Sequence, residues 1–273
     1  MNVHLIDGTY ELFRHYYAMP PAKDADGREV AAVRGVVNSV LGMITAGATH
    51  VGVATDHVIE SFRNDLWPGY KTGAGVDPAL LAQFVPLEEA LVDMGVAVWP
   101  MIELEADDAL AAAARVAADD DDVQQVRIWT PDKDLAQCVI GDRVVQVDRR
   151  NNTVRNAGGV REKFGVGPER IPDLLALVGD AADGYPGIPG IGKVTAARLV
   201  DKHGTLEEFP PDVLGDKREL ALLFKDLATL RSSAEVIGDV DELRWRGPKP
   251  AFAAWVERLS DRRLLERALA AAE

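Results

Sequence analysis

Residues 1–17, MNVHLIDGTYELFRHYY, run from a short apolar segment with β-branched members through Asp7-Gly8 into apolar positions at helical spacing. A strand that ends in an acid and turns into a helix is the layout of an α/β site, where ligands sit beyond the carboxyl ends of parallel strands. Taken alone, Asp7 reads equally well as a turn residue, so the interpretation depends on recurrence. The pattern does recur. His50–Thr55 (HVGVAT) leads into Asp56, Val96–Met101 (VAVWPM) leads to Glu105, Asp107 and Asp108, and Val126–Thr130 (VRIWT) leads through Pro131 to Asp132 and Asp134. Val144–Val147 is a further strand candidate, and Tyr10–Tyr17, Ala31–Ala46, Ala79–Asp93 and Asp107–Ala118 carry helical patterns. This alternation, up to about Lys163, predicts an α/β fold with a parallel sheet covered by helices on both faces.

From Val166 onward the pattern is helical, which places a boundary near residue 165 and divides the chain into 1–165 and 166–273. A helix over Pro168–Val178 ends at GDAADG (179–184), which carries Asp180 and Asp183. Gly187-Ile188-Pro189-Gly190-Ile191-Gly192-Lys193 then precedes a helix over Val194–His203, and amphipathic helices fill Thr205–Glu273. With 47% apolar residues in a chain of 273, a sizeable core is expected. Cys138 is the only cysteine, so no intrachain disulfide forms and nothing points to an oxidising compartment. No apolar run approaches membrane-span length, and Asp7 and Arg14 interrupt the region where a signal peptide has its apolar core; a cytoplasmic location without membrane association is expected.

The chemistry is concentrated in carboxylates. Glu105-Ala106-Asp107-Asp108 puts three acids into four positions at a helix mouth. Such acids complement a helix dipole, but packed at 4 Å they also repel by roughly 4 kcal/mol per pair at an effective dielectric of about 20 unless a cation lies between them. If the helix has begun by Glu105, then Glu105 and Asp108 share a face and converge on one ion, while Asp107 lies about 200° away. Asp7, Asp56, Glu105, Asp107, Asp108, Asp132, Asp134, Asp180 and Asp183 form the whole set, with no histidine or cysteine among them. Ligation by oxygen alone suits Mg²⁺ or Mn²⁺, not zinc. The surplus of acids points to two or more ions about 4 Å apart, the arrangement that serves phosphodiester hydrolysis. A net charge of −14 argues against indiscriminate nucleic-acid binding, although these acids account for most of it and bound divalent ions would invert the local field.

Basic and glycine-rich segments complete the reading. SFRNDLWPGYK (61–71) mixes Arg63, Tyr70 and Lys71 in a way that suits nucleic-acid backbones and exposed bases, and the Gly-rich Thr72–Pro78 follows it. Arg14 is placed to reach a phosphate or to pair with a surface acid. Gly187, Gly190 and Gly192 permit a tight hairpin whose N–H groups point outward at the start of the following helix, binding a phosphate without reading bases. The near match of Gly187–Val194 to a nucleotide-binding phosphate loop fails, because Val194 replaces the required Ser or Thr and no strand precedes it.

Asp7-Gly8 with Arg14, Thr55-Asp56, Phe62-Arg63, Tyr70-Lys71, EADD (105–108), DKDL (132–135), GDxxD (179–183) and PGIPGIG (186–192) follow one another in an order that resembles the 5′ nuclease or flap endonuclease superfamily over roughly residues 1–205. The likeness extends to the 5′-nuclease domain of bacterial DNA polymerase I and its stand-alone bacterial relatives. It implies a PIN-like nuclease core with an arch near 67–90 and a helix-hairpin-helix-type DNA-binding motif with its hairpin at 186–195, sometimes holding K⁺. By position, Asp7, Asp56, Glu105, Asp107 and Asp108 would build one metal site, and Asp132, Asp134, Asp180 and Asp183 would surround a second. Arg14 and Lys71 would contact phosphates at the scissile region, Tyr70 would stack on an unpaired base, and Arg63, Gly187, Gly190, Gly192, Lys193 and Thr195 would contribute DNA contacts. The implied activity is 5′-3′ exonuclease and flap endonuclease on DNA with 5′ flaps, nicks or 5′ overhangs, acting alone or beside a DNA polymerase supplied in trans. Three positions depart from the usual pattern: Ala74 stands for an arginine, Gly184 for an asparagine, and Lys193 is displaced by one residue, about 100° around its helix.

Overall fold

The computed structural model describes residues 1–273. In chain order the first half comprises β1 (Asn2–Asp7), α1 (Gly8–Ala18), α2 (Ala31–Thr45), β2 (His50–Asp56), α3 (Phe62–Leu66), α4 (Pro78–Leu81), α5 (Phe84–Asp93), β3 (Ala97–Met101), α6 (Ala106–Asp119), β4 (Gln125–Trp129), β5 (Val144–Asp148), β6 (Thr153–Arg155) and α7 (Ala157–Phe164). The strands form one sheet in the order β3-β2-β1-β4-β5-β6, parallel throughout except for β6. The two faces of β1 enter different cores, as the strand period requires. Val3 and Leu5 pack with α6, whereas Ile6 packs with α1, α2 and α5. Alanines at 109, 112 and 113 are fully buried and let α6 lie close on the sheet.

The expected helix over Ala79–Asp93 divides into α4 and α5. Pro86 has no N–H to give the Ala82 carbonyl, so a continuous helix would leave a gap there; in the first turn of α5 the missing donor costs nothing. This segment also corrects the expected arch at 67–90. Leu80, Phe84, Leu87 and Ala90 are buried in the core beside α2, and between α3 and α4 only the stretch 67–77 lacks helix. No helix is long and apolar enough to cross a membrane.

The second half contains α8 (Ile171–Val178), α9 (Lys193–His203), α10 (Pro211–Leu214), α11 (Arg218–Ala228), α12 (Phe252–Arg258) and α13 (Arg263–Ala272). Helices α8 to α11 share a core with Val160 and Tyr70. The chain then returns to the first body. Leu230, Ile237, Val240 and Leu243 pack beside α6, and Phe252, Trp255, Leu259 and Leu264 pack with α2 and α5. Backbone bonds from Trp245 N to Thr49 O (2.8 Å) and from Lys249 N to Asp93 O (2.8 Å) tie the return path down.

Candidate active site

Because β1 to β5 are parallel, their carboxyl ends share one edge, and the strand order sets β1 between β2 and β4. Asp7 ends β1 and Asp56 ends β2, while the chain leaving β4 delivers Thr130, Asp132 and Asp134 to the same edge. Asp7 caps α1 by accepting the Tyr10 N–H (2.8 Å), and its second oxygen accepts the Thr130 hydroxyl (2.9 Å). Asp56 accepts the Ala106 N–H at the first residue of α6 (2.8 Å), and its own N–H is held by Thr9 Oγ1 (2.8 Å). Burial, reinforced by the charges of Asp56 and Asp132, pushes the Asp7 carboxyl up to about 7.

Two groups of acids converge at this edge. Asp107, Asp132 and Asp134 bring one oxygen each within 4.8 Å of one another, and Asp134, Asp180 and Asp183 do the same. Asp134 belongs to both. It is buried, its Oδ1 has no hydrogen-bond partner, and burial together with the neighbouring Asp132 and Asp183 charges holds its carboxyl well above the usual range. Asp107 is raised in the same direction by burial and by Asp132 and Asp7. Acids crowded this closely, from exposed Asp132 to buried Asp134 with its orphaned oxygen, and with only oxygen donors, fit a hard divalent cation. Countercharge comes from two lysines. Lys133, which pairs with Asp180, lies between two of the acids in DKDL and was not singled out by motif; Lys71 pairs with Asp183 (3.1 Å) and Glu105 (2.7 Å).

Asp108 is bound on both oxygens by Arg63 and Glu105 shares Lys71 with Asp183, and neither belongs to the two groups. The helix starts at Ala106, so Glu105 is its N-cap, and Glu105 and Asp108 close a reciprocal capping box. Both Asp108 oxygens accept from the Arg63 guanidinium (2.8 Å each), and Oδ1 also accepts the Arg231 N–H (2.8 Å). Glu105 takes Ser61 Oγ (2.6 Å), Arg63 Nη1 (3.2 Å), Tyr70 Oη (3.3 Å) and Lys71 Nζ. Glu105 and Asp108 do share a face, as the helical spacing expects, and both meet Arg63, while Asp107 is the acid of this stretch that stands with Asp132 and Asp134. Arg63 is 1% exposed and Tyr70 4% exposed, so neither presents a face to DNA; both expectations are corrected by burial against EADD. Ser61 and Thr130, which orient Glu105 and Asp7, carry no motif signal of their own.

Gly184 fits its place. Its φ is +83°, and a Cβ there would meet the Gly69 carbonyl oxygen at 2.0 Å. Lys71 N donates to Asp183 O (2.9 Å) and Trp67 Nε1 to Gly184 O (3.0 Å), so the segment after α3 is laid directly on the GDxxD loop. In the hairpin, Gly190, Gly192, Lys193 and Thr195 are exposed, and α9 starts at Lys193 with no side chain capping its first N–H groups. Gly187 is different: it is buried with φ +70°, and a Cβ would strike Gly179 N at 2.3 Å, so its smallness serves backbone packing and the expected DNA contact is corrected. Arg14 projects from α1, with Nη2 on Glu11 (2.5 Å) and His15 (2.9 Å).

Comparison with known proteins gives consistent matches over the whole chain. Residues 2–165 match the family model of the 5′-3′ exonuclease N-terminal resolvase-like domain, and residues 166–251 match that of the 5′-3′ exonuclease C-terminal SAM fold. DNA polymerase I of Pseudomonas aeruginosa is 34% identical over 88% of the chain, which spans 28% of that protein. A 5′-3′ exonuclease of Aquifex aeolicus is 30% identical, with 90% of this chain and 88% of that protein covered. Among solved structures, a bacteriophage T5 D15 flap endonuclease complex with DNA and metal ions aligns at TM-score 0.70 and 17% identity over 100% of this chain and 99% of that one. The catalytic core of Rad2 in complex with DNA substrate aligns at 0.52 and 18%, covering 88% and 77%.

Proposed function

Because the chain belongs to the 5′-3′ exonuclease family, we propose that it is a divalent-metal-dependent, structure-specific 5′ nuclease that hydrolyses DNA phosphodiester bonds near single-strand/duplex junctions. Its substrates are DNA ends with 5′ flaps, nicks or 5′ overhangs, and it works in the cytoplasm alone or beside a polymerase acting in trans. The observation that carries this reading is the pair of carboxylate groups sharing Asp134. Asp107, Asp132, Asp134, Asp180 and Asp183 would hold two Mg²⁺ or Mn²⁺ ions, with Asp7 and Asp56 beside them. Ions bound there supply Lewis-acid charge for the attacking water and the leaving oxygen.

The chain's own groups do the positioning. Thr130 and the Tyr10 N–H fix the Asp7 carboxylate, the first turn of α6 fixes Asp56, and Lys71 and Lys133 bring positive charge to the rim where a phosphate enters. The uncapped N–H groups at the start of α9, with Lys193 and Thr195, hold the duplex by a phosphate, and the hairpin would be the place for a K⁺ ion that adds positive charge there. A non-catalytic junction binder draws support from Ala74 and Gly184, but Gly184 has its own reason in the close approach of Gly69.

A 5′-flap DNA, a blunt duplex and a single-stranded RNA, each incubated in EDTA, Mg²⁺ or Mn²⁺, test the reading. Cleavage of the flap DNA with metal alone is expected. Asp132→Asn lowers its rate by several orders of magnitude while flap binding in Ca²⁺ persists, and near-normal turnover of that variant would sink the assignment.

A further inference from the structure

On α1, Tyr10, Phe13, Arg14 and Tyr17 recur at three- and four-residue intervals and so share one helix face. Opposite that face stand Arg149 and Arg150, in the turn that follows β5, and together these six side chains wall an open groove of about 740 Å³. The groove begins at the rim of the acidic site, because the Tyr10 N–H is bonded to Asp7. Its stripe then runs about 10 Å along the helix axis to Tyr17, which is 70% exposed.

Three guanidinium groups line this groove in a chain of net charge −14. The acids beside them are already engaged. Glu11 is buried against Arg14 and His15, and Asp148 accepts from the Asn151 backbone (3.1 Å) and side chain (2.7 Å). Neither Arg149 nor Arg150 enters an ion pair. Arg149 is nevertheless held in position, with Nη1 2.5 Å from Ser39 Oγ and its guanidinium 5.5 Å from the Trp129 ring centroid. Arg14 Nε is buried and has no partner. Three guanidinium groups, two of them outside any ion pair and each with donors to spare, next to an exposed ring, suit a strand that offers both phosphates and an uncovered base.

We propose that Arg149 and Arg150, with Arg14 and Tyr17, form a subsite for an unpaired nucleic-acid strand leaving the acidic centre: the arginines hold successive phosphates and Tyr17 stacks on a base. A duplex does not satisfy this groove, since its bases are already stacked and offer Tyr17 no face. The inference rests on the nuclease reading of the acidic site for its substrate class.

Binding measured by fluorescence anisotropy in Ca²⁺, across a salt series, tests it on a blunt duplex and on a forked duplex with two unpaired arms. For the forked DNA, Arg149→Ala/Arg150→Ala is expected to reduce the slope of log K against log salt by about 1.4, two single-strand phosphates at about 0.7 each, and to leave the blunt duplex unchanged. Tyr17→Ala is expected to weaken forked-DNA binding at least about fivefold at constant slope. Should the double variant lose its fold with the Ser39 and Trp129 contacts, Arg150→Ala alone must reduce the slope by about 0.7. An unchanged slope on the fork, or an equal reduction on the blunt duplex, overturns the subsite. The readout needs no turnover, so such a result leaves the nuclease reading standing, and a wild-type protein that binds as described but cleaves nothing overturns that reading alone.

Discussion

Arg63 lies in the interior with its terminal nitrogens on Asp108, its Nε on Leu227 O (2.8 Å) and a further bond to Glu105. Breaking such a pair from one side leaves a buried charge without a partner. Asp108→Ala is therefore expected to lower stability by about 3–5 kcal/mol in urea unfolding while leaving Mn²⁺ affinity unchanged; a weakening of Mn²⁺ binding like that of Asp107→Asn would return Asp108 to the metal site. Asp7 gives a pH prediction. Its carboxyl is raised from 3.8 to about 7 by burial and by neighbouring acids, and Asp107 and Asp134 shift the same way. Between those two pH values the metal-free folded protein retains protons that the unfolded chain has released. That contribution to stability is complete below 3.8 and is lost as the pH rises through about 7. The melting temperature in EDTA should fall between pH 5 and pH 8, and Mg²⁺ should raise it more at pH 8 than at pH 5. A flat profile in EDTA contradicts the repulsion on which the metal assignment rests.

At the level of elements, the start of α6 decides which acid faces the ions. One residue of difference in the helix boundary makes Glu105 a cap and exchanges the roles of Asp107 and Asp108, and no motif fixes a boundary that finely. The five parallel strands and the longer helices were legible because apolar runs and helical periodicity are strong signals. The short α3, the edge strand β6 and the small, polar α7 carry little of either, and they were not anticipated. The acids were legible as a set, whereas the burial of Arg63 and Tyr70 depends on the later part of the chain, through Leu227 and Thr229. Gly184 joins two elements in the same way. Gly184→Ala puts a Cβ at φ +83° and against Gly69 O, so it is expected to cost more than about 1 kcal/mol and to slow cleavage by shifting Asp183 and Lys71 together. Trp67→Phe, which removes the bond to Gly184 O and part of the edge contact with Phe224, is expected to cost at least about 1 kcal/mol. If Gly184→Ala melts and cleaves like the wild type, the close contact is not holding the loop.

Over the whole molecule, the site is assembled from both halves, since Asp134 stands with Asp107 and Asp132 on one side and with Asp180 and Asp183 on the other. The folding unit is equally shared. Phe252, Trp255, Leu259 and Leu264 complete the core over α2 and α5, and burial of each such side chain contributes about 1.5–3 kcal/mol against a net stability of only about 5–15 kcal/mol. A fragment of residues 1–244 is accordingly expected to lose cooperative unfolding and to bind a hydrophobic dye, whereas a sharp transition like that of the full chain would show the return segment to be an accessory. The central claim concerns ions and is tested most directly by counting them. Mn²⁺ titration followed by electron paramagnetic resonance should find two ions bound to the wild-type chain, with both weakened at least about tenfold in Asp134→Asn; a single ion, or two that Asp134→Asn leaves undisturbed, would contradict a site built around one shared carboxylate.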